Sequence, residues 1–211
     1  MERSEVNLIT AAQRGELGAY NELVLNYQGL AFSVAYGILG DRDAAADATQ
    51  ESFLKAFRFI RSFRGGSFKA WLTRIVANAC HDHLRTLRRR PTTSLDAMLD
   101  PDWNPRLTDR SRGPVQLAED DDLTRLLRLG LLSLPDDQRT VLILSDVEGF
   151  NYQEISQATG LALGTVKSRL SRARAKMRSY LLGQPDLLPS SWVSRHAQTS
   201  AQGVMTGRSC L

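Results

Sequence analysis

The 211-residue sequence predicts an all-α protein made of two small helical domains that are joined by a flexible acidic linker. Apolar side chains recur at intervals of three and four through residues 5–89 and 123–182, which is the spacing of amphipathic helices. A helix-turn-helix pattern stands in the second of these ranges, and the balance of charge changes sign between segments. Together these features favour two helical domains over one large one.

The charge distribution sets the predicted domain boundaries. Lys and Arg outnumber Asp and Glu by 13 to 9 in residues 1–90 and by 9 to 5 in residues 124–183. Residues 91–123 instead hold 3 basic and 8 acidic side chains, a composition typical of an extended linker. Basic domains suit a polyanion such as nucleic acid. The predicted division is a first domain at 1–90, an acidic Pro-containing linker at 91–122, a second domain at 123–182 and a poorly ordered tail at 183–211.

The first domain begins with residues 5–39, which we predict to form helices interrupted at Gly15 and Gly29. Gly40 and Asp41 then form a turn and start the next helix. The apolar stripes of these helices are expected to form core and carry no chemistry.

A two-faced helix is predicted from Asp43 to Ile60. Asp47 and Glu51, four residues apart, share or flank its polar face with Gln50. No histidine or third carboxylate is spaced to complete a metal site, so this face is either ordinary surface charge or a protein-docking surface. The residues expected to point inward are Ala46, Phe53, Phe57 and Ile60.

A flexible loop at Arg64-Gly65-Gly66 precedes a long helix for which Ser67 is the predicted N-cap. Arg74 and Asn78 lie on one polar face of that helix. Aromatic side chains stack on unpaired bases while Arg and Asn contact base edges and phosphates, so this region suits a single nucleic-acid strand. Trp71 is predicted to be core, and for Phe63 both core and base-stacking roles are open.

The second domain resumes as a helix at Leu123–Leu132. Pro135 is predicted to end it and to occupy the first position of the next helix, which Gly149 closes. The acidic linker that precedes the second domain is expected to be repelled by DNA.

The helix-turn-helix occupies Asn151 to Met177. Asn151 and Glu154 have the spacing of a capping box, and Gly160 is placed to end the first helix. The second helix starts near Gly164 or Thr165, and Asp and Glu are absent between Gly160 and Leu182. A solvated helix normally mixes charge signs, so this pattern favours a recognition helix in the major groove over a plain amphipathic helix.

Several classes of function are disfavoured. Arg64–Ser67 lacks the Lys-Ser/Thr of a phosphate-binding loop, and no cofactor or metal site is predicted. His81 and His83 are two apart, point to different sides of a helix and are expected at the surface. The two cysteines, an N-terminus without a signal-peptide core and the absence of a long apolar run predict a reducing, cytoplasmic location without membrane insertion.

Three segments together resemble the extracytoplasmic-function sigma factors of bacterial RNA polymerase. Residues 47–60, DATQESFLKAFRFI, look like the polymerase-docking helix of that family. Residues 62–85 look like the strand-binding part of sigma region 2, and residues 134–177 look like sigma region 4. The resemblance implies a non-enzymatic promoter-specificity subunit that binds core RNA polymerase, promoter DNA as duplex and melted strand, and an anti-sigma factor.

The resemblance also assigns roles to individual residues, each still an expectation. The residues implied for docking on the polymerase are Asp47, Gln50, Glu51 and Phe53. Those implied for the melted −10 strand are Phe63, Arg64, Ser67, Lys69, Arg74 and Asn78. Those implied for the −35 duplex are Thr165, Lys167, Ser168, Arg169, Ser171 and Arg172.

Two rival functions remain. A stand-alone helix-turn-helix regulator would use its first domain to dimerise or to sense a ligand, and would need a palindromic site. An enzyme acting on nucleic acid would use Asp47, Glu51, Asp82 or the histidine pair, and the poor ligand spacing disfavours it.

Overall fold

The computed structural model describes residues 4–89 and 114–184, with side chains from residue 123 onward in the second range. Within those ranges every regular element is helical. The α-helices are α1 (Glu5–Gln13), α2 (Leu17–Leu39), α3 (Arg42–Phe59), α4 (Phe68–Arg89), α5 (Pro114–Leu132), α6 (Asp136–Leu142), α7 (Tyr152–Thr159) and α8 (Leu163–Leu182). The all-α prediction is confirmed. None of the helices in the described part of the chain is long and apolar enough to cross a membrane.

Helix α2 corrects the predicted break at Gly29, because it runs without interruption from Leu17 to Leu39. A glycine in a helix interior costs only about 1 kcal/mol relative to alanine, which tertiary packing readily offsets. The predicted break at Gly15 and the turn at Gly40 are both present, and Gly40 ends α2 in the left-handed conformation at φ 74°.

Helix α3 begins as predicted, since the Asp41 side chain accepts a hydrogen bond from the Ala44 backbone N–H at 2.7 Å. Its inward face is partly different from the prediction. Ala46 is exposed and Phe57 is 44% exposed. The face that packs is rotated and small: Ala45, Ala48, Ser52 and Ala56 are the buried positions. Small side chains let α3 lie close to its neighbours, which the apolar pattern alone did not show.

Helix α4 starts at the predicted cap, where the Ser67 hydroxyl oxygen accepts from the Ala70 backbone N–H at 3.1 Å. An aromatic cluster lies against its first turn. The Phe63 ring lies 5.7 Å from Phe68 and 5.4 Å from Trp71, between ring centroids. Phe63 is 9% exposed, so the core role left open by the sequence is the one that the structure supports.

The second half of the chain differs from prediction at two helix ends. Helix α5 begins at Pro114, inside the stretch predicted as linker. Pro135 is the N-cap of α6 and not its first helical residue. A π-helical turn at Ile143–Val147 extends α6, and Gly149, at φ 69°, follows it. The predicted linker residues 91–113, and the predicted tail from residue 185, lie outside the described residues.

The two halves of the chain pack against each other and share one hydrophobic core. Val34 of α2 and Val76 of α4 belong to the same buried cluster as Ile143 and Ile155. Helix α4 packs on α7, and α2 contacts α5 and α6. The sequence predicted two helical domains but did not predict this contact.

His81 corrects the expectation of a surface histidine. It lies at the contact between the halves, where its Nε2 is 2.9 Å from the Thr140 hydroxyl. Because that hydroxyl donates to the Asp136 carbonyl at 2.8 Å, it accepts from His81. Burial lowers the pKa of His81, a shift that Asp136 opposes and Arg85 reinforces.

The lowered pKa of His81 predicts a pH dependence of stability. The neutral form is favoured in the folded state, so this contribution is complete above the unfolded pKa of about 6.5 and is lost as pH falls through the folded pKa. We expect the free energy of unfolding, from urea titrations at successive pH values, to decline more steeply below that pH in the wild type than in His81→Gln. Parallel pH profiles for the two proteins would contradict this assignment.

Candidate nucleic-acid interface

The helix-turn-helix is built as the sequence predicts. Asn151 accepts from the backbone N–H groups of Gln153 and Glu154, and Glu154 accepts from the Asn151 N–H at 2.8 Å, which completes the capping box. Gly160, at φ 71°, ends α7. Helix α8 starts at Leu163, slightly earlier than predicted. Val166, Leu170 and Ala173 on one side of α8 are buried. The opposite side of the helix therefore faces outward.

The outward face of α8 is basic and hydroxyl-rich. Lys167, Ser171 and Arg172 are exposed, while Thr165 and Ser168 are half-buried. Ser168 donates to the Thr165 carbonyl at 3.1 Å, and Arg172 Nη2 lies 3.4 Å from the Ser168 hydroxyl. The three exposed side chains are therefore available to bases and phosphates of a duplex.

Two other arginines of α8 are held by acidic partners within the domain. Arg169 Nε is 3.2 Å from an Asp137 carboxylate oxygen. Arg174 forms a two-point pair with Asp146, at 2.6 and 3.0 Å. The pair raises the pKa of Arg174; burial alone would raise the pKa of Asp146, but hydrogen bonds from Arg174 and Ser145 bring it below its usual value. Arg169, predicted to face DNA, thus connects α8 to α6. The spacing of residues in the sequence did not predict its ion pair with Asp137.

Residues implied for the melted strand divide into three groups. Arg64 and Asn78 are exposed. Phe63 and Ser67 are engaged in the aromatic cluster and in the α4 cap.

Lys69 and Arg74, the remaining members of that set, lie beside the second domain. Lys69 Nζ is 3.9 Å from the centroid of the Phe150 ring, a cation–π contact. Arg74 lies beside Gly160, at the turn of the helix-turn-helix; a Cβ at that glycine would be 3.3 Å from Arg74 Nη2. Arg74 is nevertheless exposed and Lys69 is half-buried, so the second domain touches the edge of this face of α4 without enclosing it.

Three of the four residues implied for docking lie on the outer face of α3. Asp47, Gln50 and Glu51 are exposed, and Glu51 pairs with Lys55 at 2.7 Å. Phe53 is partly buried against the core. Leu54 is 56% exposed beside this polar set and was not predicted to belong to it. Its position, four residues after Gln50, was the signal that could have found it.

The described residues support neither a metal site nor a reactive thiol. No three His, Cys, Asp or Glu side chains within residues 4–89 and 123–184 are grouped to hold a metal ion. Cys80 is buried, and that burial raises its pKa to about 12, so it is an unreactive core residue.

Comparison with known proteins identifies the family. Residues 23–90 match the model for sigma-70 region 2, and residues 124–177 match the model for sigma-70 region 4. The chain is 35% identical over 163 residues to the ECF RNA polymerase sigma factor SigE of Mycolicibacterium smegmatis, covering 77% of this chain and 62% of that protein. It is 33% identical over 177 residues to the sigma-H factor of Pseudomonas aeruginosa, covering 82% and 91%. It is 34% identical over 171 residues to the sigma-E factor of Escherichia coli, covering 79% and 88%.

Two solved structures share the fold. A complex of the sigma factor RpoE with the anti-sigma factor NepR from Bartonella quintana aligns at TM-score 0.60 and 24% identity, covering 77% of this chain and 96% of that one. CnrH in complex with the cytosolic domain of CnrY aligns at TM-score 0.59 and 24% identity, covering 83% and 96%.

The matched regions define a sigma factor of the sigma-70 family, and the chain belongs to its extracytoplasmic-function (ECF) group. Members of this family are DNA-recognition subunits and not enzymes, so the enzyme alternative is excluded. The stand-alone regulator is not favoured.

Proposed function

We propose that this chain binds core RNA polymerase, directs it to promoters with dissimilar −35 and −10 elements, and supports melting of the −10 element. The observation that carries the proposal is the basic face of α8, whose exposed Lys167, Ser171 and Arg172 stand on a helix without acidic residues. The two ranges that match the family models, 23–90 and 124–177, fit the same division of labour, with duplex readout by the second domain and strand capture by the first.

The −35 surface consists of the exposed part of α8. Arginine pairs with guanine O6 and N7 in the major groove, and lysine and serine contact phosphates or base edges. Lys167 Nζ also lies 6.0 Å from the Tyr152 ring centroid, which places α7 next to the same surface. We assign Thr165 and Ser168 to shaping this face and Arg169 to holding α8 on α6.

The −10 surface consists of the loop and polar face at the start of α4. The exposed side chains of Arg64, Arg74 and Asn78 can contact a single strand, and the half-buried Lys69 adds positive charge beside them. Phe63 and Ser67 support the loop from within, because their contacts lie inside the first domain.

The outer face of α3 is proposed to dock on the polymerase. Replacing both Gln50 and Glu51 with alanine should lower the amount of chain that co-purifies with core polymerase by at least fivefold. The double change removes both exposed side chains, and with them the contacts that they are proposed to make with the polymerase. Circular dichroism should stay unchanged, since neither residue is buried. The matched control is Glu22→Ala on the exposed side of α2. Equal recovery of the double variant and the control would assign Gln50 and Glu51 to ordinary surface.

Regulation by an anti-sigma factor is proposed as well. One structural neighbour is a complex of a sigma factor with an anti-sigma factor, and the other is CnrH bound to the cytosolic domain of CnrY. A cytoplasmic location follows from the proposed contact with RNA polymerase.

Footprinting tests the proposal against a dimeric regulator. Core polymerase with this chain should protect two different boxes on a promoter selected from a library, with permanganate-reactive thymines only in the downstream box. Protection of a palindrome by the chain alone, without polymerase, would support the regulator instead.

A further inference from the structure

A short 3₁₀ turn, Ile60–Ser62, connects α3 to the loop that precedes α4. Side chains three residues apart point the same way in this geometry. Ile60 and Phe63 share one side of the turn and are buried, at 2% and 9% exposure. Phe59 and Ser62, which precede them, are exposed. The turn therefore presents its other side to solvent at the start of the loop.

The backbone of this turn is held from inside the first domain. Gln13 Nε2, at the end of α1, donates to the Ile60 carbonyl at 3.1 Å and to the Phe63 carbonyl at 2.8 Å. The Ser62 hydroxyl donates to the Phe59 carbonyl at 2.7 Å. Because these bonds fix the chain around Phe59, a ligand that contacts its ring has little backbone to immobilise.

Phe59 presents an uncovered aromatic ring. It is 58% exposed, and within the described ranges its ring packs on no other aromatic ring. Phe57 instead lies edge-on to Tyr20 at 4.9 Å between ring centroids. Phe63, for which the sequence left base stacking open, is enclosed by Phe68 and Trp71. Phe59 is therefore the exposed aromatic residue nearest to the loop in the sequence.

The charged residues around Phe59 are all positive. Neither Asp nor Glu occurs between Glu51 and Asp82, a stretch that contains six Lys and Arg. Arg58, Arg61 and Arg64 follow at intervals of three and are all exposed. In the part of the chain that the structure describes, none of these three arginines forms an ion pair with a carboxylate. Proteins hold single strands with this combination, in which a ring stacks on a base and cations bind the phosphates.

We propose that Phe59 is a base-stacking residue of the −10 surface: its ring stacks on one unpaired base of the melted strand, and Arg58 and Arg61 bind the adjacent phosphates. The inference rests on the proposed promoter function and extends the strand-binding surface from α4 to the end of α3. Every base has a face on which a ring can stack, so this contact adds more to strand affinity than to sequence preference.

The first test measures the affinity of holoenzyme for a single strand. Core polymerase saturated with the chain is titrated against fluorescein-labelled single strands from the −10 element of a promoter selected by transcription. The strand that the wild type binds is the probe. Phe59→Ala should bind it about fivefold or more weakly, whereas Phe59→Tyr, which keeps a ring, should stay within about twofold of the wild type.

Leu54→Ala is the matched control for that titration. Leu54 is a 56% exposed apolar residue of the same helix, five positions earlier and therefore on a different face. Its replacement should leave strand affinity unchanged. Phe59→Ala should keep the circular dichroism of the wild type, since its side chain is exposed. Equal strand affinities for the wild type and Phe59→Ala would overturn the proposal.

A double-mutant cycle between protein and DNA tests the stacking contact itself. Each nucleotide of the probe is replaced in turn by an abasic spacer. At one position the loss of the base should weaken binding by the wild type and cost Phe59→Ala nothing further, because the contact is already absent. At the other positions the two proteins should respond alike. Identical responses at every position would overturn the contact.

The salt dependence of binding separates stacking from charge. Arg61→Ala should reduce the slope of log affinity against log salt concentration by about 0.7, the value for one phosphate contact on a single strand. Phe59→Ala should leave the slope unchanged because the ring carries no charge. An unchanged slope in Arg61→Ala would overturn the role of that arginine at the phosphates.

The outcomes also distinguish this inference from docking and from the proposed function. If Phe59→Ala weakens binding to core polymerase but saturated holoenzyme holds the strand normally, the ring is a docking residue and the proposal fails. If wild-type holoenzyme starts transcription at defined sites and Phe59→Ala matches it in strand affinity, only the stacking inference fails. If the wild type starts transcription at no defined site, the proposed function fails.

Discussion

Replacing Arg139 with methionine is expected to lower the free energy of unfolding by about 3–5 kcal/mol, the cost of removing one partner from a buried charged network. The guanidinium donates to the carbonyls of Leu131, Leu132 and Leu134 at 3.0 Å and reaches Ile38 across the domain contact. Methionine fills a similar volume but donates nothing, so buried carbonyls lose their hydrogen bonds. Urea denaturation followed by circular dichroism measures the loss.

The control for that experiment is Arg125→Met on the exposed side of α5. Exposed charges contribute little, so a change within about 0.5 kcal/mol is expected there. A loss at Arg139 no larger than at Arg125 would mean that the buried guanidinium is not a structural centre of the second domain.

Replacing Arg172 with alanine is expected to weaken binding of holoenzyme to the −35 element by about 1–3 kcal/mol, or roughly 5- to 150-fold. Arg172 is exposed on the outward face of α8 and lacks the acidic partners that hold Arg169 and Arg174. Apart from the 3.4 Å contact with the Ser168 hydroxyl, its guanidinium is available for a two-point contact with a guanine. Competition binding with matched and mismatched −35 duplexes measures both affinity and discrimination.

Arg178→Ala is the control on the same helix, since residue 178 is exposed and six positions away, on a different face. It should reduce affinity slightly and equally for all duplexes, as loss of general charge does. Unchanged −35 discrimination in Arg172→Ala would remove this residue from base recognition.

Local signals explain what could be predicted from the sequence. The capping box of Asn151 and Glu154 and the left-handed Gly160 act within a few residues, so they are readable without knowledge of the fold. The buried stripe of α8 follows from the same periodicity. The outward position of Arg172 followed directly from that stripe.

Long-range contacts explain what was missed. Arg139 reaches Ile38, which is 101 residues away, and nothing near it in the sequence distinguishes it from a surface arginine. The pairing of Arg169 with Asp137 and the burial of His81 depend on how helices pack. Phe57 was misassigned because the small residues of α3, and not its large ones, form the close contact.

Transcription initiation in vitro tests the central claim most directly. Core RNA polymerase alone, and with this chain, is offered a library of promoters, and the 5′ ends of the RNA are mapped. The account predicts starts at a defined set of sites only when the chain is present, downstream of two shared and dissimilar sequence elements. RNA synthesis that is no different with and without the chain would contradict it.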